Sequence, residues 1–291
     1  MTAWALFLHA LTPVHSGTGQ AVGVIDLPIA REKATGWPVL PASGVKGVFR
    51  DEAAQLVDKS TVDKLFGKAN EGKDGDSGVA GPLCFGDQRL LCLAVRSFYG
   101  TFAYVTSPLV LSRLKRDLLA AGLDLLPSLG QTLNTNSSAL IPTKSEIADK
   151  VMQKLYFEDI DIEGKASEDA EKVAQELADI LFPEQKSLFT ERFAVVPDDI
   201  FTFLCETATE VTARVKLQDD TKTVQSGGLW YEEAVPAESV FCGIVMWTGK
   251  KDNTQEAEGL LSKITKIQVG GKASVGRGIC RSIVWGCSND A

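Results

Sequence analysis

Apolar residues fall along this chain in short runs whose spacing changes from segment to segment. Residues 3–11 (Ala-Trp-Ala-Leu-Phe-Leu-His-Ala-Leu) are almost unbroken, which predicts a buried strand. Residues 12–42 lose periodicity and are rich in Gly and Pro, so they predict a loop of a length usually reserved for function or disorder. Ser43 then reads as a helix N-cap, followed by Val45, Val48, Phe49, Ala53, Leu56 and Val57 at helical spacing. Residues 67–82 predict a mobile linker, and residues 88–97 a second strand. Ser107 and Pro108 supply the cap and first-turn proline of a helix reaching about Ala121. Ser167 predicts a helix through Leu181, with Val173, Leu177, Ile180 and Leu181 on one face. Residues 210–233 read as strand, polar tip, strand. A strand over 238–247, a helix over 254–266, a glycine-rich stretch over 270–278 and a strand over 279–285 follow.

The order strand, helix, strand, insertions, strand, helix, strand predicts an α+β fold: a ferredoxin-like (RRM-like) βαββαβ core in a single domain over residues 1–291. Its insertions are a flexible loop at 67–82, an acidic helical segment at 130–200 and a hairpin at 214–232. No repeat of solenoid period occurs.

Composition narrows the class only partly. No N-terminal segment has a secretory pattern, and no apolar run is long enough to span a bilayer. Six scattered cysteines with no C-x-x-C pair predict a reduced, cytoplasmic protein without zinc or disulfides. A net charge of −8 argues against a nucleic-acid partner for the chain as a whole. The acidity is local, however. Residues 145–200 hold 15 acidic and 6 basic side chains, leaving 23 and 24 elsewhere, so the remainder can still present a basic groove.

Four constellations could carry chemistry. The stretch Gly270-Gly271-Lys272-Ala273-Ser274-Val275-Gly276-Arg277-Gly278 lets a backbone approach phosphates closely, with Lys272 and Arg277 adding charge; it fits a plain surface loop too. It is neither a Walker A loop nor a dinucleotide fingerprint, because no Gly-Lys-Ser/Thr closes it and it leads into a strand. Ser43 opens a helix on which Lys46 and Arg50, four apart, share a face; this suits a sugar-phosphate backbone and equally an ordinary solvated face. His15 and Asp26 lie on the long loop, the latter among Val24, Ile25, Leu27 and Pro28. A carboxylate in such a setting needs a partner, a metal or solvent, and the pair could act as acid and base or align a hydroxyl and a metal. A solvated aspartate and a hydrogen-bonded histidine fit the same residues. His9, inside the first strand, reads as a core residue. The run Leu229-Trp230-Tyr231-Glu232-Glu233 after the hairpin tip combines aromatics with carboxylates, and its rings could stack on bases or fill a core.

In this order the pieces resemble the RAMP superfamily of CRISPR proteins, and within it the backbone subunits of type III-B Cmr effector complexes. The resemblance is carried by residues 10–20 (Ala-Leu-Thr-Pro-Val-His-Ser-Gly-Thr-Gly-Gln), 23–29, 36–41, 43–50, 85–91, 95–97, 104–111, 221–224, 228–233, 269–271 and 275–278. It spans nearly the whole chain and is weakest at 67–82 and 145–190. It implies copies assembled head to tail along a guide RNA, bound to other Cmr subunits, that cut a paired target RNA at regular spacing. The ferredoxin-like core is then a palm and the hairpin a thumb that flips out a nucleotide. The implied chemistry is attack by the target's own 2′-hydroxyl, with a divalent metal ion (Mg or Mn), leaving a cyclic phosphate. Under the same resemblance Asp26 is the essential carboxylate and metal ligand, and His15 supports it near the guide or scissile phosphate. Glu232 contributes from the thumb. Ser43, Lys46, Arg50, Gly270, Gly271, Lys272 and Arg277 hold the guide. Ala234 stands where some relatives carry a tyrosine. Other readings stay open at this point: a scaffold that binds guide RNA without cutting, a stand-alone RAMP endoribonuclease that trims guide precursors, a nucleotide-binding enzyme, and the Csm-type backbone subunit.

Overall fold

The apolar N-terminal run forms β1 (Thr2–Ala10), with every residue from Ala3 onward buried. Burial on both faces explains the missing alternation of polar residues. The computed structural model describes residues 2–20, 24–68, 78–123, 127–130, 133–250 and 253–286. In chain order the larger elements are α1 (Ala42–Leu56), α2 (Lys59–Phe66), β2 (Gln88–Arg96), β3 (Phe102–Thr106), α3 (Pro108–Ala120), β4 (Ala139–Ile141), β5 (Lys154–Phe157) and β6 (Ile160–Ala166). They continue with α4 (Glu168–Leu181), β7 (Phe193–Val195), α5 (Asp198–Thr207), β8 (Glu210–Leu217), β9 (Val224–Ala234), β10 (Val240–Trp247), α6 (Thr254–Lys263), β11 (Lys266–Gln268) and β12 (Ile279–Trp285).

This is a mixed α+β architecture built on one large mixed sheet. Along it the strands run β11, β12, β1, β10, β2, β3, β7, β4, β6, β5. The first half is antiparallel throughout: β1 lies between β12 and β10, and β10 pairs with β2. The second half mixes directions, with β7 parallel to β3 and β6 parallel to β4. Strands β8 and β9 stand apart as a two-stranded hairpin.

Several helix starts follow local chemistry. Ser107 and Ser167 each accept a hydrogen bond from the amide three residues on, which caps α3 and α4 as their sequences predict. Ser43 is a correction. Helix α1 begins two residues earlier, Pro41 is its N-cap, and Ser43 lies exposed in the first turn. The carboxylate of Asp87 takes the amide of Ala42 at 2.8 Å, so a remote side chain supplies the cap that a local serine was expected to give. The acidic segment also holds more than α4, because β4 to β7 run through residues 139–195 and extend the sheet. These strands are three to seven residues long, too short to show a period of their own. Of the expected loop at 67–82, residues 69–77 lie outside the described residues; its ends pair as Gly67–Lys68 with Val79–Ala80.

His9 is a core residue. It is buried, its Nε2 bonds Glu238 at 2.9 Å, and its ring meets Phe182 edge-on. The bond from His9 is the main cause holding the Glu238 carboxyl below its ordinary range. Cys84, Cys92, Cys205, Cys242 and Cys280 are unpaired. Burial pushes the Cys205 and Cys280 thiols up to about 12, which keeps them unreactive.

Candidate active site at the root of the hairpin

The long loop after β1 is folded back on itself. Val14 pairs with Val235, Gly17 with Ile29, and the amide of Ala30 donates to Ser16 O at 2.7 Å. The last turn of β9 forms the other wall. Leu27 bridges Glu232 in parallel, donating to Tyr231 O at 3.1 Å and accepting from the Glu233 amide at 3.0 Å. The described part of the stretch with no periodicity therefore completes its hydrogen bonding through isolated bridges, one of them to β9.

Both candidate catalytic side chains hang from this strand. The Tyr231 amide donates to Asp26 Oδ2 at 2.8 Å. Two residues on, the Glu233 carbonyl accepts from His15 Nδ1 at 2.6 Å. A carbonyl only accepts, so Nδ1 carries the proton and Nε2 keeps its lone pair when the ring is neutral. A Cβ at Gly17 would lie 2.6 Å from that Nε2, so only glycine leaves the ring room.

Glu233 makes the strand rigid. It is 3% exposed. Its Oε1 accepts from Arg31 at 2.5 Å and Thr209 at 2.9 Å, and its Oε2 from the Ile29 amide at 3.0 Å. Arg31 also donates to the carbonyls of Gly36 and Cys205. One carboxylate thus ties β9, Thr209 ahead of β8 and the loop carrying Asp26, with its charge neutralised by a partly buried guanidinium that also reaches α5.

The glycine-rich loop closes the third side. The Gly271 amide donates to His15 O at 2.9 Å, and a Cβ at Gly270 would lie 2.3 Å from that oxygen. Lys272 Nζ reaches Glu232 at 2.8 Å. Glu232 also accepts from Trp230 Nε1 at 2.8 Å and Arg214 Nε at 3.3 Å. Burial pushes its carboxyl up, but the Lys272, Trp230 and Arg214 donors outweigh that and hold it at about 2. Arg277 spans from the loop to Glu210 at 3.2 Å and Thr212 at 3.4 Å.

The predicted site residues therefore separate into two groups. His15, Asp26, Glu232, Gly270, Gly271, Lys272 and Arg277 converge on the hairpin root. Ser43, Lys46 and Arg50 sit on α1, where Lys46 donates to Leu83 O at 2.9 Å and Arg50 binds Asp63 and the Gly67 carbonyl. All four expected RNA-binding cations have partners within the chain. Arg277, 11% exposed, is a strut, whereas the lysines spend one of three donors each.

Asp26 Oδ1 has no hydrogen bond among the described residues, and no cluster of three His, Cys, Asp or Glu side chains among them could hold a metal ion. One open carboxylate oxygen fits a hard divalent ion that takes its remaining ligands from water and a substrate phosphate, and does not fit a resident all-protein cage.

A model of the RAMP superfamily matches residues 7–281. The chain belongs to the RAMP superfamily. Two curated RAMP relatives are similar to it over nearly their whole length. One is the CRISPR system Cmr endoribonuclease Cmr4 of Pyrococcus furiosus, 34% identical over 97% of this chain and 95% of the relative. The other is the CRISPR system CMR subunit Cmr4 of Saccharolobus solfataricus, 26% identical over 94% and 93%. A crystal structure of oligomeric Cmr4 from Pyrococcus furiosus superimposes with a TM-score of 0.77 and 29% identity, covering 98% of both chains.

Two residues that organise this RAMP site were not singled out in the sequence for that role: Arg31, and Glu233 within the run 229–233. The run Glu232-Glu233 after three bulky apolar residues was a signal, since two carboxylates at the end of a strand both need cationic partners. The partners lie about two hundred and forty positions from one another, at Arg31 and Lys272, and only the fold joins them.

Proposed function

We propose that this chain is the guide-RNA-binding backbone subunit of a CRISPR type III-B effector complex, and that it cleaves target RNA at regular intervals in the cytoplasm. The observation that carries the reading is the suspension of Asp26 and His15 from alternate residues of β9, at the foot of a protruding hairpin. The 34% identity to a Cmr endoribonuclease over 97% of the chain supports it. The partners are guide RNA, target RNA, further copies of the chain and other Cmr subunits. The body is a ferredoxin-like βαββαβ palm, a reading supported by the strand order β12, β1, β10, β2 with α1 and α6 in the two crossovers.

The hairpin acts as a thumb between guide and target and splays one target nucleotide outward. A regular A-form step holds its 2′-hydroxyl badly for in-line attack, and a splayed step removes that restraint. The 2′-oxygen bonds phosphorus, the bond to the 5′-oxygen breaks, that oxygen takes a proton from solvent water to leave as a 5′-hydroxyl, and a 2′,3′-cyclic phosphate remains. Asp26 aligns the 2′-hydroxyl through the open Oδ1, and the hydroxyl proton passes to solvent water. His15 presents Nε2 toward the phosphate. A divalent ion held by Asp26 supplies positive charge against the phosphate when bound. Lys46, Arg50 and the glycine-rich loop hold the guide.

Asp26→Asn in the assembled complex tests this. The expected result is loss of matched-RNA cleavage with guide and target binding retained. Unchanged cleavage would sink the assignment and leave a scaffold.

A further inference from the structure

A second built feature lies on the acidic half of the sheet. The turn between β2 and β3 is fastened to β5: the Phe98 amide donates to Tyr156 O at 3.1 Å, Ser97 bridges Phe157, and the Glu158 amide donates to Arg96 O at 3.1 Å. Gly100 (φ 67°) and Thr101 (φ 74°) close the turn in the left-handed region, and Arg192 Nε holds the Gly100 carbonyl at 3.1 Å. The backbone is therefore fixed, yet it holds Phe98 out in solvent, 80% exposed. Phe98 stands edge-on to Tyr99, with centroids 5.1 Å apart, and to Tyr156 at 6.3 Å. Tyr99 and Tyr156 are 6.2 Å apart.

The three rings line an open cavity of about 520 Å³. Asp149, Glu158 and Asp159 share its wall with one guanidinium, Arg96. Tyr99 donates its hydroxyl to Asp149 Oδ2 at 2.7 Å, while the Val151 and Met152 amides donate to Oδ1, so the carboxylate is fixed beside the rings. Met152 lines the same cavity, and beside it Val151 is fully in solvent. A clustered aromatic and apolar surface left in water marks an interaction site. Ring faces and three carboxylates together attract a cation and repel phosphate. A guanidinium suits them better than an ammonium, because it stacks on a ring and forks onto a carboxylate at once.

We propose that this cavity is a docking socket for an arginine side chain on a segment of a different protein chain in the complex. A face-to-face contact between two copies through this surface would set the carboxylates of the acidic stretch 145–200 against their counterparts, bringing like charges together. The same carboxylates disfavour RNA. The inference rests on the reading that this chain works inside a multi-subunit assembly, and is independent of the roles given to Asp26 and His15.

The test places p-benzoylphenylalanine at position 98 of the full chain, assembles the complex with guide RNA, irradiates it and identifies the crosslinked species by mass spectrometry. The expected product joins position 98 to an arginine-containing peptide of another protein subunit. A crosslink to RNA, a crosslink to a second copy, or no crosslink above background overturns the socket. Glu158→Lys combined with Asp159→Lys, both at exposed positions, provides the second arm. The partner's retention in the complex is expected to fall at least tenfold, and unchanged retention overturns the proposal. Cleavage of matched RNA by the unaltered complex reports separately on the functional reading, so failure of one is distinguishable from failure of the other.

Discussion

The return strand of the hairpin behaves as two structures along its length. At the root, Glu232, Glu233, Ala234 and Val235 are buried, and the backbone of residues 231–235 is bonded to Val14, His15, Asp26 and Leu27. Farther out, Val224 and Leu229 are more than half exposed and pair only with Leu217 and Val215 across the hairpin. The arm itself has two unlike faces. Glu210, Thr212, Arg214 and Glu232 are tied to the glycine-rich loop through Arg277 and Lys272. Val211, Ala213, Val215, Leu217, Val224, Leu229 and Tyr231 share the opposite face in solvent. Dense, buried hydrogen bonding fixes the root. An unpartnered apolar face leaves the arm ready to meet something outside the chain. Still side chains for chemistry and an open surface for engagement are thus placed on one strand.

The largest effect is expected at the point where the root meets the reaction. Asp26→Asn keeps the shape and an acceptor for the Tyr231 amide, but removes the charge that aligns the hydroxyl and would hold the ion. Target cleavage should fall by about 10²- to 10⁴-fold, with target affinity unchanged. Single-turnover rates on matched RNA, paired with binding assays, separate the two.

Glu233→Gln comes next, because it loosens the root without touching substrate. Arg31 loses its charged partner in a mostly buried place, at a cost of about 3 kcal/mol in stability. Cleavage should drop about tenfold, which corresponds to about 1.4 kcal/mol of lost alignment. If Glu233 were merely structural, the surviving folded molecules would cut at the normal rate. A cleavage rate per correctly assembled complex equal to the parent's would refute the positioning role.

The sequence exposed features whose causes are local. The hairpin shows because its strands and polar tip are adjacent in the chain, and α3 and α4 show because Ser107 and Ser167 cap from within their own first turn. Ser43 misled because the competing cap, Asp87, lies forty-five positions away. The acidic half of the sheet stayed hidden because β4 and β7 are three residues each. At the site, residue types alone left Asp26 an unexplained acid, and resemblance raised it. Neither route reached the pairing of Glu233 with Arg31, which spans 202 positions and exists only once the loop closes on β9.

The tie between the root and the glycine-rich loop gives a smaller effect with a defined pH dependence. The Glu232 carboxyl is held at about 2, below its ordinary value of 4.5. A depressed carboxyl contributes stability that is present above the ordinary value and lost as pH falls toward the lowered one. Acidification from pH 7 to pH 5 should therefore leave the Lys272–Glu232 contact intact. Glu232→Gln should remove it at every pH, costing about 2 kcal/mol and loosening guide binding more than cleavage. Thermal unfolding at pH 7 and pH 5 checks this: the gap between parent and variant should be the same at both.

The arm should give the smallest effect on stability and the cleanest separation of its two ends. Leu229→Ser with Val215→Ser replaces a cross-strand apolar pair that is already in water, so folding should change by no more than about 0.5 kcal/mol. The root keeps all its bonds, and Asp26 and His15 keep their places. If the apolar face presses between guide and target, the variant binds target normally but splays it poorly, and cutting at each regular site weakens severalfold while Asp26 remains competent. A target already unpaired opposite the hairpin would restore cutting, because the work of splaying has been done in advance. Equal cutting of the fully paired target by parent and variant would show that the exposed face has no part in the reaction. The contrast between a fixed root and an engaged arm would then reduce to the root alone.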